Sequence, residues 1–199
     1  DVRFPGQYVV RPVSDTHHDF RGYAGQVAGG VLKPGHEVTV LPSGLKTQIT
    51  NIDTFVGPVE EAFTGMLVII RLEDDIDISR GDMICRPANQ PSTSQDIEAL
   101  VCWMADQPLR EGGRYGIKKT TRWARAVVGH LRSRLDIHTL PPAEPPPRLT
   151  LNQIGRVRLR VTAPLMRNSY RRNRTTKSFI LVDEATNATV GAGMTLGII

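Results

Sequence analysis

The stretch NRTTKSFILVDEATNATVGAGM, residues 173–194, has the pattern of two β-strands joined by a turn. Ser178–Val182 is an apolar run that favours a strand, Asp183–Asn187 supplies turn residues, and a second, glycine-broken strand begins at Thr189. A hairpin does not require the polar, cationic cluster Asn173–Lys177 that precedes it. This cluster must therefore serve packing, a partner or a ligand.

Short strands separated by glycine and proline turns recur along the rest of the chain. The pattern predicts strands at Gln7–Val10, Gly22–Gly30, Glu37–Leu41, Thr47–Ile52, Met66–Leu72, Asp82–Cys85, Ile97–Met104, Tyr115–Lys118, Arg122–Leu131 and Ile154–Thr162. No segment shows an amphipathic helical period longer than about two turns. The sequence therefore predicts an all-β chain built from antiparallel barrels or sandwiches.

One predicted strand carries a row of cations. Arg156, Arg158 and Arg160 alternate with aliphatic residues, so a period of two places the arginines on one face. This face is either a solvated strand surface, a surface that binds an acidic protein partner, or an RNA-binding surface. Tyr170 and Trp123 lie beside basic residues of this part of the chain, and so few aromatic side chains near the arginine strand argue against stacking on nucleic acid.

The net charge of +5 is unevenly distributed. Residues 1–91 contain 8 lysines and arginines against 12 carboxylates, whereas residues 92–199 contain 17 against 8. The polar, proline-bearing stretch Arg86–Ser94 lies at the boundary and is predicted to be a linker. We therefore expect two domains, 1–91 and 92–199, of which the basic second one meets an acidic surface.

Several classes of protein are excluded by composition. No apolar run approaches the roughly 20 residues of a membrane span, and no signal peptide opens the chain, so we expect a cytoplasmic protein without membrane contacts. Two cysteines, Cys85 and Cys102, are too few for a disulfide framework and lack metal-ligand spacing. The chain begins at Asp1 without an initiating methionine, so we expect it to be a segment of a longer protein.

No catalytic, metal or cofactor site is predicted within these residues. Adjacent histidines in the cluster Asp15–Asp19 would point to opposite faces of a strand, and the acidic run Glu73–Asp77 lacks the spacing of calcium loops. Arg80-Gly81-Asp82 is typical of a turn that enters a strand. The sequence contains no GxxxxGK[ST] motif, so the amide nest, lysine and hydroxyl that hold nucleotide phosphates and Mg²⁺ are missing.

Several blocks resemble one protein family. The blocks GYAGQVAGGVLKPGHEVTVLPSG (residues 22–44) and LREGGRYGIKKTTRWARAVV (residues 109–128) resemble the second and third domains of translation-factor-type GTPases, as in elongation factor Tu. The blocks FRGYAGQVAGG, EDDIDISRGDMI, LNQIGRVRLRV and the opening stretch resemble the large, GTPase subunit of bacterial sulfate adenylyltransferase, which some bacteria fuse to adenylylsulfate kinase. The resemblance covers nearly the whole chain. It differs locally, with Lys177 standing where a glycine is usual and Met166–Tyr170 replacing an aromatic–acidic run.

This resemblance implies two antiparallel β-barrels in tandem and a non-catalytic role. In the family, GTP hydrolysis by the large subunit drives synthesis of adenosine phosphosulfate from ATP and sulfate by the catalytic small subunit. The chain would couple the two activities, with GTP and Mg²⁺ bound by a GTPase domain outside this sequence. Its expected partners are that domain and the small subunit. The alternative is an RNA-binding barrel module of a translation-type GTPase factor.

The opening cluster supplies three candidate partner-binding residues, in addition to Arg156, Arg158 and Arg160. Asparagine and threonine side chains hydrogen-bond readily to nearby backbone, so Asn173 and Thr176 are expected to fix the loop. Arg174 is then available for a planar, two-pronged contact with a carboxylate across a domain or subunit boundary. The alternative is that Arg174 braces its own barrel.

Replacing Arg174 distinguishes these two roles. If the arginine makes a desolvated contact with a partner, Arg174→Ala should weaken association by about 2 kcal/mol and leave the melting temperature of the chain nearly unchanged. Calorimetric titration and thermal unfolding of the same variant measure the two quantities. A lower melting temperature with unchanged partner affinity would show that Arg174 only braces its own barrel.

Overall fold

The computed structural model describes residues 1–11, 20–135, 147–167 and 175–196. The regular structure of these described residues consists of fifteen strands and one short 3₁₀ turn, so the predicted all-β class is confirmed. Within these ranges, no helix is long and apolar enough to cross a membrane. The chain divides into two compact units, Asp1–Gln90 and Pro91–Ile199, which are described separately below.

Nine strands form the first unit. They are β1 (Arg3–Val10), β2 (Gly22–Gln26), β3 (Val31–Leu32), β4 (Glu37–Leu41), β5 (Leu45–Thr54), β6 (Gly57–Pro58), β7 (Ala62–Phe63), β8 (Leu67–Leu72) and β9 (Met83–Cys85). The main sheet has the order β4-β9-β1-β2-β8-β5-β6, and β3 pairs with β7 in a separate two-stranded sheet. All pairings are antiparallel, and because β4 also pairs with β5, the ring of hydrogen-bonded strands closes on itself.

The core of the first unit comes from the inward face of these strands. Phe4, Tyr23 and Ile52 are among its fully buried side chains. Each such residue removes enough apolar surface from water to contribute about 1.5–3 kcal/mol of stability. The Tyr23 hydroxyl donates a hydrogen bond to the carbonyl oxygen of Ile76, so the one polar atom of this core ring is satisfied.

Tight turns join the strands where the sequence predicts them. The turn Lys33–Gly35 places Gly35 at a φ of 83°, in the left-handed region that favours glycine. In the turn Ser79–Asp82, the Asp82 carboxylate accepts a hydrogen bond of 2.8 Å from the Ser79 amide. The Arg80-Gly81-Asp82 sequence is therefore a turn that leads into β9, as expected.

The predicted linker Arg86–Ser94 is wrong in its second half. Residues Pro87–Asn89 form a 3₁₀ turn held to the first unit, because the Arg3 guanidinium donates to the Asn89 carbonyl oxygen at 2.8 Å. Strand β10 already begins at Ser92. Serine and threonine are compatible with a strand, so the polar composition of residues 92–94 did not mark a loop.

Six strands form the second unit. They are β10 (Ser92–Trp103), β11 (Arg114–Lys119), β12 (Arg122–Leu135), β13 (Ile154–Arg167), β14 (Ser178–Val182) and β15 (Thr189–Thr195). They close into a barrel with the order β10-β13-β12-β11-β14-β15, in which β15 pairs with β10. Closure gives every strand a hydrogen-bonding neighbour on each side.

Alternation along the strands fills the interior of this barrel. On β13, Val157, Leu159 and Val161 are buried, and the residues between them point outward, as the sequence predicts. Trp103 is 1% exposed, and its ring packs edge-on against Tyr115 with centroids 5.3 Å apart. The Trp103 Nε1–H donates to the Gln107 carbonyl oxygen at 2.8 Å, so the largest core side chain has its polar atom satisfied.

The hairpin predicted from the opening stretch is present as β14 and β15. Its turn is held by Asp183, whose carboxylate accepts hydrogen bonds from the Thr186 amide at 2.8 Å and the Ala185 amide at 3.0 Å. The bonds to Thr186 and to Ala185 hold the pKa of Asp183 below its usual range. Asn187 completes the turn with a φ of 58°.

Gly193 on β15 is a position where a side chain cannot fit. A Cβ there would meet the Phe179 ring and lie 2.9 Å from the Leu100 carbonyl oxygen, which belongs to the paired backbone of β10. We expect Gly193→Ala to destabilise the chain by about 1–3 kcal/mol, because the ring and two strands must move apart. Chemical denaturation followed by tryptophan fluorescence measures this change.

Gly129 on β12 supplies the matched control. A Cβ there would contact only the Arg158 carbonyl oxygen, at 3.4 Å. We expect Gly129→Ala to change the free energy of unfolding by less than about 0.5 kcal/mol. Equal effects of the two substitutions would contradict the packing described around Gly193.

Candidate partner-binding face of the second unit

The three predicted arginines lie side by side on the outer face of β13. Their side chains are 41%, 46% and 59% exposed for Arg156, Arg158 and Arg160, respectively. β13 is flanked by β10 on one side and β12 on the other, and β10 carries two carboxylates opposite the arginines, Asp96 and Glu98. The structure thus brings the predicted row of cations together with acids of the same barrel.

Each arginine has a carboxylate partner on β10. Arg156 is paired with Glu98 through its Nε, and Arg160 donates from Nη1 to Asp96. Arg158 is 3.7 Å from the other oxygen of Asp96. Three guanidinium groups therefore share two carboxylates. Most of the positive charge of this part of the face is neutralised within the barrel, and a net charge of one remains.

These ion pairs differ in their exposure to water. The Glu98 side chain is 12% exposed, whereas that of Asp96 is 43% exposed. Ion pairs in full contact with water contribute about 0–1 kcal/mol, since solvent screens the charges. Removal of Arg156 would thus leave the Glu98 carboxylate without its partner and largely shielded from water, which destabilises the fold.

The opening cluster is described only in part. Asn173 and Arg174 lie outside the described residues, so their roles stay predictions. Thr176 is 2% exposed and lies in the turn that precedes β14, a position suited to shaping the loop. Lys177 is also 2% exposed, and burial lowers the pKa of its ammonium group.

An apolar groove lies beside the arginine row and was missed by sequence analysis. It has a volume of about 640 Å³, and its walls are formed mainly by apolar residues that point out of the barrel. These are Leu100 and Cys102 of β10, Ile154 of β13, Ile180 of β14, and Ala192 and Met194 of β15. Leu100 is the direct neighbour of Arg156 across the β10–β13 ladder, so the groove continues the arginine row.

A signal for this groove was present in the sequence. β10 reads IEALVCW over residues 97–103, where the outward positions change from Glu98 to Leu100 and Cys102. β14 likewise carries Ile180 between two inward residues. Strands that are apolar on both faces are typical of sheets covered on both sides, but the sequence analysis predicted only a strand at each of these runs.

Within the part of the chain that the structure describes, the other candidate sites hold no reactive arrangement. In the first unit, Arg21 pairs with Asp75 and, at 2.9 Å, with Asp77, so the acidic run is an ion-paired loop. No group of three or more histidine, cysteine or acidic residues within the described ranges could hold a metal ion. The cluster Asp15–Asp19 lies outside those ranges. Cys85 is buried, which raises the pKa of its thiol to about 11 and keeps it unreactive.

Double-mutant cycles test the unequal strength of the ion pairs. We expect a coupling energy of about 1 kcal/mol between Arg156→Gln and Glu98→Gln, because Glu98 is shielded from water. The matched cycle of Arg158→Gln with Asp96→Asn should give less than about 0.5 kcal/mol, because both side chains are exposed. Urea denaturation measures both. Couplings near zero for both pairs would show that the arginines are solvated and do not brace the barrel.

Comparison with known proteins identifies a matching family and several relatives of this chain. The family described as GTP-eEF1A C-terminal domain-like matches residues 96–196. The chain is 55% identical over 197 residues to the bifunctional enzyme CysN/CysC of Mycobacterium tuberculosis H37Rv, covering 98% of this chain and 32% of that enzyme. It is 44% identical over 194 residues to sulfate adenylyltransferase subunit 1 of Alteromonas mediterranea, covering 98% of this chain and 40% of that subunit.

A solved structure shares the fold. Sup35 complexed with GMPPNP superposes with a TM-score of 0.87 at 17% identity, over 100% of this chain and 47% of that chain. The chain therefore spans between a third and a half of the length of the proteins it matches. The barrel geometry, the matched family and the relatives agree: this chain belongs to the GTP-eEF1A C-terminal domain-like family and is a homologue of sulfate adenylyltransferase subunit 1 and of the bifunctional enzyme CysN/CysC.

Proposed function

We propose that this chain is the non-catalytic β-barrel part of a sulfate adenylyltransferase large subunit. In this role it couples GTP hydrolysis, in a GTPase domain outside this sequence, to adenosine phosphosulfate synthesis by a catalytic small subunit. The observation that carries the proposal is the identity of 40–55% to sulfate adenylyltransferase relatives along almost the whole chain. The barrels themselves would act by contact with the two catalytic parts.

The absence of a phosphate-binding loop from the sequence supports a non-catalytic role. Nucleotide hydrolysis requires backbone amides, a lysine and a hydroxyl that together hold phosphates and Mg²⁺, and the chain has no motif with those residues. GTP and Mg²⁺ would bind to the GTPase domain. What each barrel can supply is a rigid unit whose outer face transmits a change of orientation to the domain that it contacts.

The arginine row favours a protein partner over RNA. RNA binding needs cations that can reach phosphates and aromatic side chains on which bases stack. Arg156, Arg158 and Arg160 are instead paired with Asp96 and Glu98. The neighbouring groove exposes apolar side chains, and apolar surface is what the core of a protein–protein interface buries on association.

A competition experiment tests the proposal. The chain is added in excess to an assembled sulfate adenylyltransferase of large and small subunits, and GTP-stimulated synthesis of adenosine phosphosulfate is followed. If the barrels carry part of the large subunit's contact with the small subunit, the chain should reduce the GTP stimulation in a dose-dependent way. Calorimetry on the chain alone should show no saturable binding of GTP or ATP in the presence of Mg²⁺.

The control uses the packing variant described above. Gly193→Ala, at a temperature where it is unfolded and the wild type is folded, should not compete. Unchanged GTP stimulation at saturating wild-type chain would contradict the partner role. A micromolar, Mg²⁺-dependent nucleotide affinity would contradict the non-catalytic role.

A further inference from the structure

The apolar groove of the second unit is built from continuous cross-strand rows. One row runs around the barrel through directly paired residues: Ile154, Cys102, Ala192, Ile180, Lys118 and Trp123. A second row, one pleat away, begins at Arg156 and continues through Leu100 and Met194. The central positions of both rows are apolar, although they point out of the barrel.

A cation lies near one end of each row. In the first row, Lys118 on β11 precedes the last residue, Trp123, and its Nζ lies 5.7 Å from the centre of the Trp123 ring. Arg156 stands at the β13 end of the second row. None of the described residues that line the groove carries a carboxylate. Arg156 is paired with Glu98, so an occupant with a carboxylate at the β11 end of the groove would meet its opposite charge at Lys118.

The chemistry of the walls favours a protein segment over a small metabolite. A metabolite site combines an apolar wall with several converging polar groups that fix the ligand's orientation. Among the described residues that line the groove, the polar side chains are Lys118, Thr120 and Ser178, and the middle of the groove is apolar. Trp123 is 50% exposed beside Lys118, and an exposed tryptophan next to a cation is typical of the residues that dominate protein interfaces.

We propose that this groove binds a segment of the catalytic small subunit that is apolar in its middle and carries a carboxylate at the end nearest Lys118. The apolar side chains would cover Leu100, Ile180 and Met194, and the carboxylate would bind the Lys118 ammonium, which keeps donors available beside the Trp123 ring. Arg156 is paired with Glu98, so its charge at the other end of the groove is largely neutralised within the barrel. The inference rests on the function proposed above and specifies where that partner binds.

Two substitutions in the groove test this site against the purified small subunit. Met194→Asp places a charge in the apolar middle, and Lys118→Glu reverses the charge at the end. Met194 is 41% exposed and Lys118 points outward, so both variants should retain the wild-type melting temperature. We expect each to raise the dissociation constant about tenfold or more, which corresponds to about 1.4 kcal/mol.

The first unit offers a matched control for each change. Leu45 is 53% exposed and Lys46 is 63% exposed, and both lie on β5. Leu45→Asp and Lys46→Glu make the same chemical changes away from the groove and should alter the dissociation constant less than about twofold. Added salt should weaken wild-type binding more than binding by Lys118→Glu, because the reversed charge has lost the attraction.

The outcomes separate the two proposals. Wild-type binding that Met194→Asp and Lys118→Glu leave unchanged would overturn the groove as the docking site and leave the proposed function standing. An equal loss in the groove and control variants would also overturn it. A wild-type chain with no affinity for the small subunit would overturn the proposed function, and the groove assignment with it.

Discussion

Closure of the second barrel through β10 is the constraint on which the rest of that unit depends. Residues 99–102 of this strand pair on one side with β13 and on the other with β15, so they join the two ends of the sheet. The closed ring leaves no edge strand whose amides and carbonyls would need another partner. It also fixes which outward side chains become neighbours, because each register is set by the pairing on both sides.

The two surface features of the unit follow from this one strand. The outward positions of β10 carry Asp96 and Glu98 in its first part, and these carboxylates hold the arginines of β13. The outward positions become apolar at Leu100, and the groove begins there. A surface of paired arginines and carboxylates thus adjoins the exposed apolar groove. The ion pairs hold β13 against β10, and the groove supplies apolar area for association.

Sequence alone predicted the features that depend on local pattern. The longer strands, the glycine turns, the hairpin that begins with Ser178–Val182 and turns at Asp183, and the outward direction of the arginines follow from the spacing of residues close together in the chain. The two-residue strands β3, β6 and β7 were not predicted. The sequence pattern predicts that the strand from Ile154 ends at Thr162. The strand continues to Arg167, since the register with β10 shifts between Ser94 and Asp96 and admits extra residues there.

Features that depend on distant residues could not be predicted in the same way. Pairing of Arg160 with Asp96 joins positions 64 residues apart, and no local pattern shows that the cations find acids in their own barrel. The groove likewise needs the four strands β10, β13, β14 and β15 to be placed side by side before its apolar residues meet. Its only local trace was the loss of alternation in β10 and β14, which is equally typical of strands buried on both faces.

The alternation of arginine and aliphatic residues on β13 also determines how the barrel can assemble. Side chains in a strand have a period of two, so slippage of β13 by one residue would turn Arg156, Arg158 and Arg160 into the interior and expose Val157, Leu159 and Val161. The free-energy cost of burying three guanidinium groups without partners far exceeds the stabilisation that the hydrogen bonds of a misregistered strand pair could provide. The arginines therefore exclude misregistered barrels during folding, whether or not a partner ever touches them.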